Sequence, residues 1–323
     1  MRADDRSARS CGLHPHHNGR VDTTMVDDAW LSAVMRSIGG TPTHLEPLPG
    51  GTVNHTFRVE RAGGNPVVLR YPVDPLRADE FPVEAWAADA AARTGIATAE
   101  PIAHGVEGGV PFSLSTYVAP DDRAVLRPWS WLGVYARTVG RVPLQDAPLS
   151  LYSRFGKDLD TAWAAHLDYN RTSLGPDDVL FTDGAYEQPA VVERMFAHLA
   201  RRTYEHGLAH GDLAPRNLIS RGPETPPVLI DWGGAETGPT PWTDARRVFE
   251  WCFIDESVDR QDYDDFAQTA GLGSDRARDE LAMMTALHLV DVTRWALDNR
   301  ADLYAGYVQR CHDGLDVIQE LIR

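Results

Sequence analysis

Lysine is nearly missing from this sequence: Lys157 stands alone, and arginine carries the rest of the positive charge. A Walker-type phosphate loop needs Gly-Lys-Ser/Thr, so that class of nucleotide site is excluded. Cysteine is scarce as well. Cys11, Cys252 and Cys311 are odd in number and far apart, which suits neither a disulfide framework nor a zinc site. No stretch approaches the roughly 20 apolar residues that span a bilayer, and the first 24 residues lack the apolar core of a secretory signal. The expectation is a cytoplasmic enzyme with free thiols and no membrane partner. Nucleic acid is an unsuitable partner too, because the net charge of −16 repels a phosphate backbone. From Asp121 to the end, 21 Arg and Lys face 33 Asp and Glu, a balance of −12. That excess suits a cationic substrate and equally suits plain solubility.

What is present is an ordinary globular composition, 43% hydrophobic and 24% charged, over 323 residues. Residues 1–24 are polar, hold three histidines and show no apolar period, so they read as a flexible leader. A helix follows over 27–37, where Trp30, Leu31, Val34 and Met35 recur at helical spacing. Strand-like runs come next at 44–48, 55–61 and 66–72, punctuated by Gly50-Gly51 and Gly63-Gly64. A helix is expected over 82–94, closed by Gly95, and two more strands at 102–106 and 111–118. Beyond Ala119-Pro120 the character turns helical, with amphipathic segments at 124–142, 159–167, 189–204, 242–254 and 278–297. The order β-β-β-α-β-β followed by helices is not an alternating Rossmann pattern.

The chemistry concentrates in His210-Gly211-Asp212-Leu213-Ala214-Pro215-Arg216-Asn217 and in Val228-Leu229-Ile230-Asp231-Trp232-Gly233. Residues 218–220 and 228–230 are short apolar runs joined by a Gly- and Pro-rich loop, which reads as a hairpin. Antiparallel pairing would bring Asn217, just before the first run, to the same end as Asp231, just after the second. Asp212 lies on the loop leading into that end. Two carboxylates and an amide oxygen then converge, the hard oxygen ligands that magnesium prefers. Taken singly, each residue also suits a turn or cap.

These segments resemble the catalytic loop and the metal-binding Asp motif of the aminoglycoside phosphotransferase and choline kinase superfamily. The resemblance implies an α+β, protein-kinase-like fold of two lobes: a small antiparallel sheet with a helix over residues 25–118, and a mostly helical lobe over 119–323. It implies a phosphotransferase acting on an alcohol group, with Asp212 as catalytic base, Asn217 and Asp231 as magnesium ligands, and His210 bracing the loop. Gly238-Pro239 and Asp244 resemble the Gly-Asp-Pro…Asp segment that follows in the family, with Asp244 structural.

In the first lobe, Gly50, Gly51, Thr52 and Asn54 lie where a phosphate-covering loop belongs, although a plain hairpin turn would look the same. Arg70, in Pro66-Val67-Val68-Leu69-Arg70, takes the place of the family's phosphate-binding lysine, and Glu84 resembles its ion-pair partner. The alternative is an exposed strand–helix pair of little worth. Thr116 and Val118 fall at the expected adenine-binding hinge. ATP, with GTP as an alternative, and Mg²⁺ are the implied cofactors.

The acceptor would be a small hydroxylated molecule: an aminoglycoside-like antibiotic, or instead a small alcohol, sugar or amino acid derivative. A non-catalytic nucleotide-binding relative is the reading from another class, and Arg70 is its only support. Two regions are candidates for the acceptor pocket. One is 146–187, with Trp163 and Tyr169 as either a ligand wall or core packing. The other is the acidic run at 255–265, which reads equally as a solvated face.

Overall fold

The computed structural model describes residues 27–49, 53–73, 80–223 and 225–322. Helix α1 (Asp28–Arg36) starts at Asp27, whose side chain accepts a 2.8 Å hydrogen bond from the Trp30 amide. Its stripe of Leu31, Val34 and Met35 is buried against one face of a five-stranded antiparallel sheet. The strands are β1 (Pro42–Pro47), β2 (Asn54–Arg61), β3 (Val67–Pro72), β4 (Pro101–Glu107) and β5 (Val110–Thr116), in the order β1-β2-β3-β5-β4. Side chains alternate across a strand. Val67, Leu69 and Tyr71 therefore join Phe57, Val59 and Leu114 in the α1-facing core, while Arg70 projects from the other face toward α2 (Glu80–Arg93).

The remainder is mainly helical: α3 (Pro128–Val139), α4 (Leu159–Arg171), α5 (Val179–Thr182), α6 (Pro189–Ala200), α7 (Trp242–Phe253), α8 (Arg260–Ala270), α9 (Asp275–Asn299) and α10 (Tyr304–Leu321). Helix α9 runs through the core with both faces buried and packs on α10, α7 and α6. Helices α3 and α8 approach closely because position 133 is glycine; a Cβ there would overlap Thr269 Oγ1 and the Phe266 carbonyl. Two short ladders complete the architecture: β6 (His206–Ala209) with β9 (Glu236–Pro239), and β7 (Leu218–Ile219) with β8 (Val228–Leu229). Hydrogen bonds from the Leu229 amide to the Ala97 carbonyl (2.8 Å) and from the Asp121 amide to the Ser220 carbonyl (2.9 Å) tie the sheet region to the helical region.

The observed strands of the main sheet agree with the expected ones to within a few residues, since each apolar alternation is local. Helices α8 and α10 were not anticipated. In α8 the stripe Tyr263, Phe266, Ala267 and Ala270 is diluted by five acidic or glutamine neighbours, so the segment reads as a charge run. Helix α3 is shorter than the expected 124–142, beginning at Pro128 after Arg127 in a left-handed conformation. Among the described residues no helix is long and apolar enough to cross a membrane.

Candidate active site

The β7–β8 hairpin pairs Leu218 with Leu229 and Ile219 with Val228, and the Ile230 amide donates to the Asn217 carbonyl at 3.0 Å. Asn217 and Asp231 therefore flank one end of the hairpin, as the sequence spacing requires. Asn217 is buried, and its amide nitrogen donates to the Asp212 carbonyl (2.8 Å) and to Asp212 Oδ2 (3.0 Å). Its side-chain oxygen is left as the acceptor. Asp231 sits at φ 66°, in the left-handed region that a non-glycine residue adopts rarely and often at functional positions.

His210 joins the two segments. Its Nδ1 accepts from the Asp212 amide at 3.3 Å, so the ring proton sits on Nε2 and donates to the Ile230 carbonyl at 3.1 Å. Burial lowers its pKa, and the neutral ring packs on Trp232 with centroids 4.6 Å apart. The loop is held from below by Asp244, which is 2% exposed. Asp244 Oδ2 accepts from the His210 amide (3.1 Å) and Oδ1 from the Gly211 amide (2.8 Å). Burial pushes this carboxyl up to about 7, against the pull of those two donors. Gly211 is at φ 78°, and a Cβ there would overlap the Gly234 carbonyl. The Asp212 loop and the segment after Asp231 thus touch backbone to backbone.

Asp212 itself is gripped by Arg216, one turn further on, whose guanidinium donates to both carboxylate oxygens at 2.6 and 2.7 Å. That guanidinium also lies 5.7 Å from the Trp251 ring centroid.

From the sheet, Arg70 reaches Glu84 on α2 through a short ion pair and Asp231 Oδ1 at 3.0 Å. The Arg70 and Glu84 side chains are only 15% and 16% exposed, which rules out a solvated surface pair. Burial drives Glu84 up to about 7, helped by Asp231 and Glu80 and opposed by Arg70, and one of its oxygens is buried without a hydrogen-bond partner. Asn54 is buried and donates to Glu80 Oε1 at 3.3 Å, with its own oxygen unpartnered. Gly50, Gly51 and Thr52 lie outside the described residues. Thr116 is engaged in the sheet: its amide donates to the Glu100 carbonyl and its hydroxyl accepts from the Glu100 amide, both at 2.9 Å. Val118 lies beyond the strand and is half-buried.

Next to the Asp212 loop is a cavity of about 230 Å³. Its walls come from residues 150–155, α4, β9 and α9. Gly234 lines it, and a Cβ at that position would stand 3.8 Å from Asp212 Cβ. The region 146–187 thus contributes walls, Trp163 among them. Tyr169 instead faces the guanidiniums of Arg154 and Arg294 at 4.4 and 5.0 Å. The acidic run at 255–265 does not line the cavity. Asp255 pairs with Arg310 (2.7 Å), Asp259 caps α8 and Asp265 meets Arg127 at 3.7 Å. Sequence patterning could not reveal the cavity, whose walls are segments brought together by the fold, while the Arg216–Asp212 contact is local, four residues apart on one loop.

Among the described residues, no group of three or more His, Cys, Asp or Glu side chains is placed to hold a metal by itself. The donors present are one Asp231 carboxylate and the Asn217 oxygen. That set fits a magnesium ion whose other ligands come from nucleotide phosphates and water.

Residues 44–284 match the model of the phosphotransferase enzyme family. No curated protein matches the chain in sequence. Among solved structures, the aminoglycoside phosphotransferase APH(2″)-IIa in complex with gentamicin is similar with a TM-score of 0.58 at 13% identity, over 88% of this chain and 96% of that one. The apoenzyme of a macrolide 2′-phosphotransferase from Brachybacterium faecium is similar with a TM-score of 0.57 at 16% identity, over 88% and 96%. A thermostable mutant of APH(4)-Ia, in a ternary complex with ADP and hygromycin B, gives 0.56 at 17% identity over 88% and 97%. Identities this low establish a shared fold alone. The family match covers well over half of the sequence, and on that ground the chain belongs to the phosphotransferase enzyme family.

Proposed function

We propose that this enzyme is an ATP-dependent kinase that transfers the γ-phosphoryl group to a hydroxyl of a small molecule, with antibiotic-like acceptors the first class to test. The observation that carries the reading is the meeting of Asp212, Asn217 and Asp231 at one end of a hairpin, beside a cavity large enough for an acceptor. Neighbouring structures that hold gentamicin, or ADP with hygromycin B, support both the nucleotide and the acceptor class.

In this reading Asp212 accepts the hydroxyl hydrogen and orients the oxygen for in-line attack. Asn217 and Asp231 would hold Mg²⁺, which neutralises phosphate charge when bound. Arg70 takes the usual lysine's part: Glu84 steadies it from α2, and its fork reaches Asp231 beside the phosphate position. Asn54 contributes a polar group at the mouth of the nucleotide site, and the backbone around Val118 faces the base. Arg216 grips Asp212 through one nitrogen shared by both oxygens and Asn217 takes Oδ2, so Oδ1 keeps a lone pair for the acceptor hydroxyl.

A coupled assay of nucleotide consumption, with magnesium and either ATP or GTP, tests this. Acceptor-dependent turnover is expected to fall by about 10²–10⁴-fold in Asp212→Ala, with ATP affinity retained. Turnover by that variant near the wild-type rate would refute the role of Asp212.

A further inference from the structure

We infer that the cavity beside the Asp212 loop takes an uncharged, sugar-like acceptor with one apolar face, and not a polycation. This rests on the kinase reading above and narrows its acceptor.

The first argument is charge. Two carboxylates and two guanidiniums reach the cavity wall: Glu236 and Asp291, Arg154 and Arg246. Asp291 is fully used, with Arg154 at 3.2 Å, His166 at 3.3 Å and the Asn170 amide at 3.0 Å. Those partners hold its pKa far below the usual carboxylate range despite burial. Glu236 differs: burial pushes its pKa up against the pull of Arg246, Arg247 and His166, and among the described residues its carboxylate accepts no hydrogen bond. It pairs in β9 with Ala209, three residues before Asp212, so it stands on the catalytic side of the cavity. A ligand bearing several ammonium groups would find one open carboxylate here, since the other charges of this wall are already paired, Arg154 with Asp291 and Arg246 with Glu250. Desolvating several ammonium groups for a single partner is unfavourable. The acidic excess of the sequence lies elsewhere, in the α8 region and at surface pairs.

The second argument is the shape of the wall. Trp163, Phe155 and Trp242 supply ring surface, and Leu151 and Leu287 extend it. Such a wall stacks on the C–H face of a sugar ring, while a few polar groups fix the hydroxyls. The indole nitrogen of Trp163 and Nε2 of His206 are buried without hydrogen-bond partners, and the His206 side chain is 7% exposed. The Trp163 N–H is a donor, while His206, neutral and with its proton on Nδ1 toward Asp160, offers Nε2 as an acceptor; with Glu236 they give hydroxyls partners of both kinds. The volume of about 230 Å³ is below the ~300–1,000 Å³ of sites for drug-sized ligands, which favours a compact acceptor.

The reaction balances simply. The acceptor oxygen forms a bond to the γ-phosphorus as the bond to the β,γ-bridging oxygen breaks. ADP departs with that electron pair, and the hydroxyl proton passes to Asp212 and then to water.

The test measures magnesium-ATP turnover with two acceptor sets. One set holds methyl glycosides and inositols, the other polyamino glycosides such as neomycin. Turnover with the neutral set is expected, together with a rise of about tenfold in acceptor KM for Glu236→Gln while ATP KM stays unchanged. Trp163→Phe keeps the ring but loses the N–H, and should raise acceptor KM less. Turnover with the polyamino set only would overturn the inference and leave the kinase reading standing. Turnover with neither set overturns it as well, and magnesium-ATP binding by calorimetry then judges the kinase reading separately. A neutral acceptor whose KM is unmoved by both variants would place recognition outside this cavity.

Discussion

Replacing Asp244 should unfasten the loop that carries Asp212. The Asp244 carboxylate, itself buried, accepts two backbone amides, His210 N at 3.1 Å and Gly211 N at 2.8 Å. Asp244→Ala removes both acceptors and leaves the buried His210 amide and the part-buried Gly211 amide unpaired. Each orphaned donor costs about 1–3 kcal/mol, so the variant should lose roughly 2–6 kcal/mol of unfolding free energy. That is a large share of the ~5–15 kcal/mol that holds an ordinary domain together. Asp244→Asn keeps one acceptor oxygen and turns an amide toward the other donor, so it should lose about half as much. Activity should fall too, because a loop displaced by about 1 Å costs on the order of 10²-fold in rate. Nucleotide affinity should change less, since Arg70 and Asp231 are held by other contacts. Urea unfolding followed by tryptophan fluorescence gives the stability, and the coupled assay gives kcat. An Asp244→Ala protein within about 0.5 kcal/mol of wild type would refute the claim that this carboxylate anchors the loop.

The same residue makes a pH prediction. Its folded pKa of about 7 is above the ordinary 3.8, so the fold binds that proton more tightly than the unfolded chain does. The resulting stabilisation is complete below the ordinary value and disappears as pH rises through about 7. Asp244→Asn should therefore flatten the decline of stability over that range, and parallel curves for the two proteins would contradict it. Arg70→Ala should cost about 3–5 kcal/mol by leaving Glu84 buried and uncompensated, and Arg70→Lys should cost less while still loosening Asp231; an unchanged denaturation midpoint in Arg70→Ala would count against the buried pair. Asp231→Ala should weaken magnesium-dependent nucleotide affinity, and calorimetry showing the same affinity as wild type would remove it from the metal site. Gly133→Ala should cost about 1–3 kcal/mol by forcing α3 off α8, where a Cβ meets Thr269 and the Phe266 carbonyl; a melting temperature equal to wild type would show that the helices shift freely.

The five-stranded sheet was legible because its signals are local. Alternation in residues 55–61 and 66–72 and the glycine pairs between strands specify both strand and face. The Asn217–Asp231 approach was legible for the same reason, since a hairpin is a short-range structure. Helix α8 was not, because four apolar positions among acidic neighbours become a stripe only when α3 lies opposite to cover them. The β6–β9 ladder joins residues about 30 positions apart through four-residue strands, and four residues are too few to announce a partner at that distance.

By itself the sequence determined the family resemblance, the order of the main-sheet strands and most of the longer helices, and the candidate site residues, since these follow from residue type and near-neighbour spacing. Only the tertiary structure decided the rest. It set Asp244 beneath the loop and buried Arg70 with Glu84 where an exposed pair was equally consistent with the sequence. It also formed the cavity between α4, β9 and α9 and turned the acidic 255–265 run away from it. Burial and charge pairing are sums over contacts between distant segments, and a linear pattern carries no record of which segments will meet.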